Sequence, residues 1–105
     1  INYFIEAFEY IEDSISNAKY YLFSDNIKWC QENLRLPDNI EIVNTGSDMK
    51  DFSVLASCNN FILTVGTFGW WGAILSRNKN KVVTAPKKYK KFLNENFYPS
   101  EWKLI

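Results

Sequence analysis

The residues best suited to hold a ligand are a glycine and a threonine that follow an apolar run. Gly66 and Thr67 come directly after Phe61–Val65, and Phe68 and Gly69 complete the turn. If a helix begins at Thr67, the glycine lets an anion approach the backbone, the threonine adds a hydroxyl donor, and the helix dipole favours negative charge. The spacing matches neither GxGxxG nor the P-loop. The pattern indicates an anion site; the alternative is a tight strand-to-helix turn in which Thr67 only caps the helix.

Two other loops carry polar side chains directly after a predicted strand. Ser24 and Asp25 follow Tyr20–Phe23, and Asp51 stands near the start of a predicted helix after Ile40–Val43. Because ligands gather at the carboxyl ends of parallel strands, the three loops can contribute to one site. Each also has a purely structural interpretation. The stretch Ser24-Asp25-Asn26 offers side-chain oxygens that can cap the next helix, with Ser24 and Asp25 as plausible N-caps, and Asp51 can be the partner in a capping box that begins at Asp48.

Several kinds of chemistry are excluded by what the sequence lacks. It contains no histidine, the commonest general base and metal ligand. Cys30 and Cys58 have neither CxxC spacing nor histidine partners, so a zinc site is not expected. Buried free thiols within helices are the expectation for both, although the sequence leaves a disulfide open. Since no acidic pair is spaced as DxD, we expect neither a metal nor any other cofactor.

The charges give little support to a nucleic-acid or membrane partner. Twelve basic and twelve acidic residues sum to a net charge of zero, so nucleic acid is not expected. The basic residues concentrate from Arg77 onward, a pattern that fits an anionic ligand or simply a solvated face. No apolar run approaches the roughly 20 residues of a membrane-spanning helix, so we expect no membrane segment in this chain.

Periodicity of the apolar residues predicts nine alternating elements that would position these loops. The predicted elements are a helix over 3–18, a strand Tyr20–Phe23, a helix from Ile27, a strand Ile40–Val43, a helix from Asp48, a strand Phe61–Val65, a helix from Thr67, a strand Lys81–Thr84 and a short helix around Tyr89–Leu93. Such alternation is typical of a parallel sheet covered by helices. We predict one domain over residues 1–105, a Rossmann-like three-layer α/β/α fold with a mainly parallel sheet of about four strands.

The stretch from Phe61 to Ala73 resembles the C-terminal motif of the α-1,2-fucosyltransferase family, glycosyltransferase family eleven. Members carry T-x-G-T-F-G or N-S-T-F-S-W-W-G-A there, and this chain has T-V-G-T-F-G-W-W-G-A. Residues 23–30 are similar to the family's F-S-D-D-I-x-W-C stretch, and Asp51 matches its D-[MF]-x-x-[ML] segment. The resemblance spans residues 20–102 and implies the C-terminal half of a GT-B-like glycosyltransferase.

That resemblance implies a function and a set of donor-site residues. The family transfers L-fucose from GDP-fucose to the 2-hydroxyl of galactose on a glycan acceptor, with inversion and without a DxD metal site. By resemblance, the donor site would contain the diphosphate-lining residues Gly66, Thr67 and Phe68 with Gly69 beside them, Asp51 at the guanine, and Ser24 and Asp25 at the rim. If the animal-type resemblance holds, the enzyme would act on the lumenal side of the Golgi membrane.

One family motif, H-x-R-x-G-[DE], is missing from this histidine-free sequence. In the family it lies upstream of the matched region and carries an arginine expected to neutralise the donor diphosphate. We therefore expect this stretch to be a fragment that does not catalyse alone and to contain no catalytic residue. The rival interpretation is a non-catalytic α/β binding module that uses the same strand ends for another nucleotide or for a protein partner.

Overall fold

The computed structural model describes residues 2–64, 66–88 and 97–105. In those residues helices and short strands alternate along the chain as predicted. The elements are α1 (Asn2–Ser14), β1 (Tyr20–Leu22), α2 (Ile27–Asn33), β2 (Ile40–Ile42), α3 (Asp48–Ala56), β3 (Phe61–Ile62), α4 (Thr67–Leu75), β4 (Val83–Ala85) and β5 (Lys103–Leu104). The predicted helix around Tyr89–Leu93 lies outside the described residues. The α/β class with short parallel strands is confirmed and is consistent with a Rossmann-like fold.

The sheet differs from the single sheet that the sequence predicts. The described strands form two parallel sheets, one of β1 and β2 and one in the order β3-β4-β5. Leu22 lies opposite Ile42 in the first sheet, and Ile62 lies opposite Thr84 in the second. The fifth strand, Lys103–Leu104, was not predicted because two residues are too few to show a period.

Most predicted boundaries move by a few residues, and the first helix shows why. Its buried positions, Ala7 and Ile11, lie on the predicted apolar stripe. The helix nevertheless ends at Ser14 and not near residue 18, since Asn17 adopts a left-handed backbone with φ 55°, which a right-handed helix does not accommodate.

The core lies between the β3-β4-β5 sheet and the helices α3 and α4. Its buried members are Leu55, Phe61, Leu63, Ala73, Val83, Ala85 and Trp102. Thr84 is also fully buried, and its hydroxyl is 2.9 Å from the hydroxyl of Tyr3 in α1. A buried hydroxyl without a partner is costly, so this pair ties α1 to β4.

Helices α3 and α4 pack closely because a glycine faces a leucine. A Cβ added to Gly72 would lie 2.6 Å from Cδ2 of Leu55, a distance that side chains do not tolerate. At the far end of α4, the Lys81 ammonium donates to the carbonyl oxygens of Ala73 (2.5 Å) and Ser76 (3.3 Å). The close contact packs the two helices against each other, and the lysine satisfies carbonyl groups at the end of one of them.

Candidate functional site

The start of α2 follows β1 and is capped by its own residues. The side chain of Asn26 accepts a hydrogen bond from the Trp29 N–H at 3.0 Å, so Asn26 is the N-cap. Ser24 Oγ accepts from the Asn26 N–H at 3.0 Å and lies 3.5 Å from the thiol of Cys30. Asp25 is exposed. The prediction that the stretch Ser24-Asp25-Asn26 caps α2 is confirmed, with Asn26 as the capping residue. The more specific interpretation of Ser24 or Asp25 as the N-cap is wrong, because Asn26 takes that position and Ser24 supports it.

The start of α3 follows β2 and is also closed by side chains. Ser47 is the N-cap, and its Oγ accepts from the Lys50 N–H at 3.3 Å. The predicted capping box from Asp48 to Asp51 is wrong, because the N-cap is Ser47 and Asp48 is already the first residue of the helix. The carboxylate of Asp51 instead turns back to the loop, where its Oδ1 accepts from the Thr45 N–H at 2.9 Å and from the Thr45 hydroxyl at 2.7 Å.

These two bonds favour the ionised form of the Asp51 carboxyl group. Hydrogen bonds to an ionised carboxylate stabilise its charged form. The Thr45 hydroxyl first, and the Thr45 backbone N–H second, hold the pKa of the Asp51 carboxyl below its ordinary value. The side chain is partly exposed and is fully ionised at neutral pH. Asp51 can thus serve as a charged hydrogen-bond acceptor beside the loop.

The start of α4 follows β3 and is open. The helix begins at Thr67, as predicted, but Thr67 does not cap it: the N-cap position belongs to Gly66, and no side chain caps the helix there. Gly66 has φ 141°, which favours glycine, and nothing lies within 4 Å of the place where its Cβ would be. Among the described residues, the N–H groups of the first turn have no side-chain acceptor at the cap, and the absent Gly66 side chain leaves them accessible to an anion.

The strand before this turn is shorter than predicted. We expected β3 to end at Val65 or Gly66, yet it ends at Ile62. Leu63 still donates from its N–H to the Thr84 carbonyl at 2.9 Å, which extends the pairing by one residue. Val65 lies outside the described residues. Gly69 has a packing reason of its own, since a Cβ there would lie 3.0 Å from Cδ2 of Leu63.

The close packing of α3 and α4 brings two of the predicted site regions together. Phe52, the residue after Asp51, contacts Phe68 edge to face with ring centroids 5.4 Å apart. Phe68 remains 43% exposed. Ser24 and Asp25 lie at the same edge of the first sheet as Thr45, because β1 and β2 are parallel and in register. In the described part of the chain, no hydrogen bond or ring contact joins Ser24 or Asp25 to the α4 turn.

Sequence reasoning missed Thr45 and the contact of Phe52 with Phe68. A hydroxyl residue two positions before the cap serine was a usable signal for Thr45, because such side chains bond to nearby loop and helix-start groups. Phe52 was predicted only as part of an apolar helix face. Its contact with Phe68 depends on how α3 and α4 pack, which no local pattern contains.

The described residues contain neither a metal-binding group of side chains nor a membrane-spanning helix. Within residues 2–64, 66–88 and 97–105, no group of three or more histidine, cysteine or acidic side chains is placed to hold a metal ion. None of the described helices is long and apolar enough to cross a membrane. Cys30 and Cys58 are free thiols. Cys58 lies two residues beyond α3 and not within a helix, and burial raises the pKa of its thiol.

Comparison with known proteins finds relatives of this chain among glycosyltransferases. The chain is 30% identical over 92 residues to an O-antigen biosynthesis glycosyltransferase, WbnK, of Escherichia coli, a match covering 85% of this chain and 30% of that protein. It is 35% identical over 82 residues to galactoside alpha-(1,2)-fucosyltransferase 2 of Pongo pygmaeus, covering 70% of this chain and 23% of that protein. An alpha-1,2-colitosyltransferase of Escherichia coli is 25% identical over 88 residues, with 80% and 30% covered.

The chain thus spans less than a third of the length of the curated relatives it matches. No solved structure matches it. The family model described as glycosyl transferase family 11 matches residues 1–105, the whole chain. On that match, the chain belongs to glycosyl transferase family 11.

Proposed function

We propose that this chain is the C-terminal, donor-binding part of a galactoside α-1,2-fucosyltransferase-like enzyme that uses GDP-fucose. Two relatives are named as α-1,2-fucosyl- and α-1,2-colitosyltransferases. In the proposed reaction L-fucose moves, with inversion, to the 2-hydroxyl of a galactose that ends a glycan. If the resemblance to the animal enzymes extends to location, the enzyme acts on the lumenal side of the Golgi membrane.

The open start of α4 carries this proposal. Among the three described helices that follow a strand, α2 and α3 are capped by Asn26 and Ser47, whereas α4 has no side-chain cap. An uncapped helix start offers N–H groups and a partial positive charge to an anion. A nucleoside diphosphate is such an anion, and the Gly66–Gly69 turn would hold its phosphates.

The same turn would assist the chemistry in which GDP leaves. In a single displacement, the acceptor hydroxyl attacks the anomeric carbon while the bond to the β-phosphate oxygen breaks and negative charge grows on that oxygen. Preorganised N–H donors stabilise charge that develops in the transition state. The Thr67 hydroxyl adds one donor, and Asp51 would accept hydrogen bonds from the guanine edge. The base that takes the acceptor proton lies outside this chain, which has no histidine.

A charge placed at the open turn tests the proposal. Thr67→Glu introduces a carboxylate where the diphosphate would bind, and Thr67→Gln is its uncharged match. Acidic side chains suit the first turn of a helix, so the glutamate variant should fold normally. Like-charge contact should weaken GDP binding at least about thirty-fold, whereas loss of one neutral hydroxyl should weaken it less than about ten-fold.

The measurement is calorimetric titration of GDP and ADP into the full-length protein, alongside fucose transfer to a β-galactoside. Equal GDP affinity in Thr67→Glu and wild type would overturn the diphosphate site. Wild-type protein that binds neither nucleotide, or that binds GDP and ADP equally, would instead favour a binding module for another ligand.

A further inference from the structure

We infer that Thr45 is a positioning residue for nucleotide recognition: it occupies one carboxylate oxygen of Asp51 and leaves the other to accept the N–H edge of the guanine base. The inference rests on the proposed function, because it concerns the same donor site. It is supported by the contacts of Thr45 and Ser47, in the loop between β2 and α3, with each other and with Asp51 in the first turn of α3.

The Thr45 hydroxyl is fixed before it reaches Asp51. The Ser47 N–H donates to it at 3.3 Å, and its own proton goes to Asp51 Oδ1 at 2.7 Å, a shorter contact than the 3.1 Å to the Ser47 carbonyl. Ser47 is itself fixed as the N-cap of α3. The relay from the Ser47 backbone through the Thr45 hydroxyl to Asp51 Oδ1 therefore sets the orientation of the carboxylate.

Both Thr45 bonds end on the same oxygen. The backbone N–H and the hydroxyl of Thr45 converge on Oδ1, and none of the described residues donates a hydrogen bond to Oδ2. A carboxylate has about four acceptor positions on two oxygens, so half of its capacity stays available. Simple closure of the loop needs one of these bonds, whereas holding the carboxylate in one orientation uses both.

An exposed aromatic ring on the neighbouring helix offers a surface to a ligand with a flat, apolar face. Phe68 of α4 is 43% exposed and rests edge-on against Phe52 of α3. A charged acceptor on α3 and an aromatic surface on the packed helix α4 are the two features that a nucleobase needs, since it stacks on one and forms hydrogen bonds to the other. Guanine presents two N–H donors on one edge, whereas adenine presents an unprotonated ring nitrogen there, so a charged Oδ2 should favour GDP over ADP.

The test is the ratio of GDP to ADP affinity in Thr45 variants of the full-length protein. Thr45→Val removes the hydroxyl and keeps the shape and the N–H, so Asp51 loses one of two constraints. GDP affinity should fall about three- to ten-fold with ADP affinity unchanged. Thr45→Ser, which restores the hydroxyl, should recover the wild-type ratio. Ser53→Ala removes a comparable hydroxyl from the exposed side of α3, where it bonds to the Met49 carbonyl, and should leave the ratio unchanged.

A merely structural role for Thr45 gives a different result. If it only closes the loop, Thr45→Val should lower the melting temperature and weaken GDP and ADP together, and that outcome would overturn the inference. Thr45→Ala replaces the valine variant if the latter does not fold. Failure of the underlying function is distinguishable, because wild-type protein would then not bind GDP; a wild type that binds GDP and loses affinity in Asp51→Asn but not in Thr45→Val refutes the role of Thr45 alone.

Discussion

The packed helices α3 and α4 begin in opposite ways. In α3, Ser47 caps the helix and Thr45 engages Asp51, so the loop is held by its own side chains. In α4, Gly66 occupies the cap position with φ 141°, and no side chain of the described residues caps the first turn. One helix start has a side-chain cap, and the other has none among the described residues.

The difference suggests two roles within one proposed donor site. An open helix start recognises charge, since any anion gains from its N–H groups. A carboxylate held in one orientation recognises a pattern of donors, so it distinguishes one base from another. The α4 turn would thus supply affinity for a diphosphate, and the α3 start would supply preference for guanine.

The largest expected effect tests the proposed preference for guanine at the start of α3. Asp51→Asn keeps an oxygen for Thr45 but replaces the other oxygen with an amide donor that faces the guanine donors. Loss of a charge-assisted acceptor should weaken GDP binding about ten- to hundred-fold, while thermal stability changes little and discrimination against ADP is lost. Titration of both nucleotides with parallel melts measures this. Unchanged GDP affinity would show that Asp51 only holds the loop before α3. It would also refute the proposed division of roles between the two helix starts.

Next in size is a side chain placed at the open start. Gly66→Ser supplies a residue that caps most helices well, but at φ 141° an L-residue is strained. We expect the free energy of unfolding to fall by about 1–3 kcal/mol, measured by denaturant titration. A stabilised Gly66→Ser variant would mean that the backbone can relax and that the open start is not imposed by its geometry.

The matched change at the closed start should cost less. Ser47→Ala removes the side-chain acceptor for the Lys50 N–H, and loss of an N-cap costs about 1 kcal/mol. Serine should therefore stabilise α3 at position 47 and destabilise α4 at position 66. If Ser47→Ala leaves the unfolding midpoint unchanged, or if Gly66→Ser raises it, the contrast between the two starts is refuted for local backbone geometry.

The smallest expected effect concerns metal. The described residues contain no group of three or more histidine, cysteine or acidic side chains placed to hold a metal ion, and the diphosphate would be held by N–H groups. Treatment of the full-length enzyme with a chelator should leave the rate of fucose transfer within about two-fold, because catalysis would not depend on a hard cation with oxygen ligands. A large loss that manganese restores would show that the open start is not the main partner of the diphosphate.

The sequence predicted the order of the elements better than their packing. Runs such as Tyr20–Leu22 and the stripe with Ala7 and Ile11 are local patterns, and the structure confirms the elements they predict. The division into two sheets and the short strand Lys103–Leu104 depend on contacts between distant segments. A strand as short as Lys103–Leu104 shows no periodicity, and the pairing of strands is not a local pattern. Neither feature could therefore be predicted from the sequence.

For the candidate site, the sequence located the turns but assigned only some of their hydrogen bonds correctly. The cap of α2 within Ser24-Asp25-Asn26 is confirmed. The sequence also placed a helix start at Thr67, which is confirmed, yet gave the cap to Thr67 and the capping box to Asp48 and Asp51. Cap identity depends on backbone angles at a single residue, and several polar residues in a row are equally suitable by type. The donor-binding role of these residues stays a prediction.

The lysine at the far end of α4 changes how far the open start can act. A helix carries about half an elementary charge of opposite sign at each end, and the Lys81 ammonium lies against carbonyl groups at the negative end. With that end compensated, a distant anion is exposed to a partial positive charge more than to a dipole. The negative end would otherwise repel that anion and offset part of the attraction of the start. Lys81 removes this repulsion, and the attraction that remains is screened beyond about 8 Å at physiological salt.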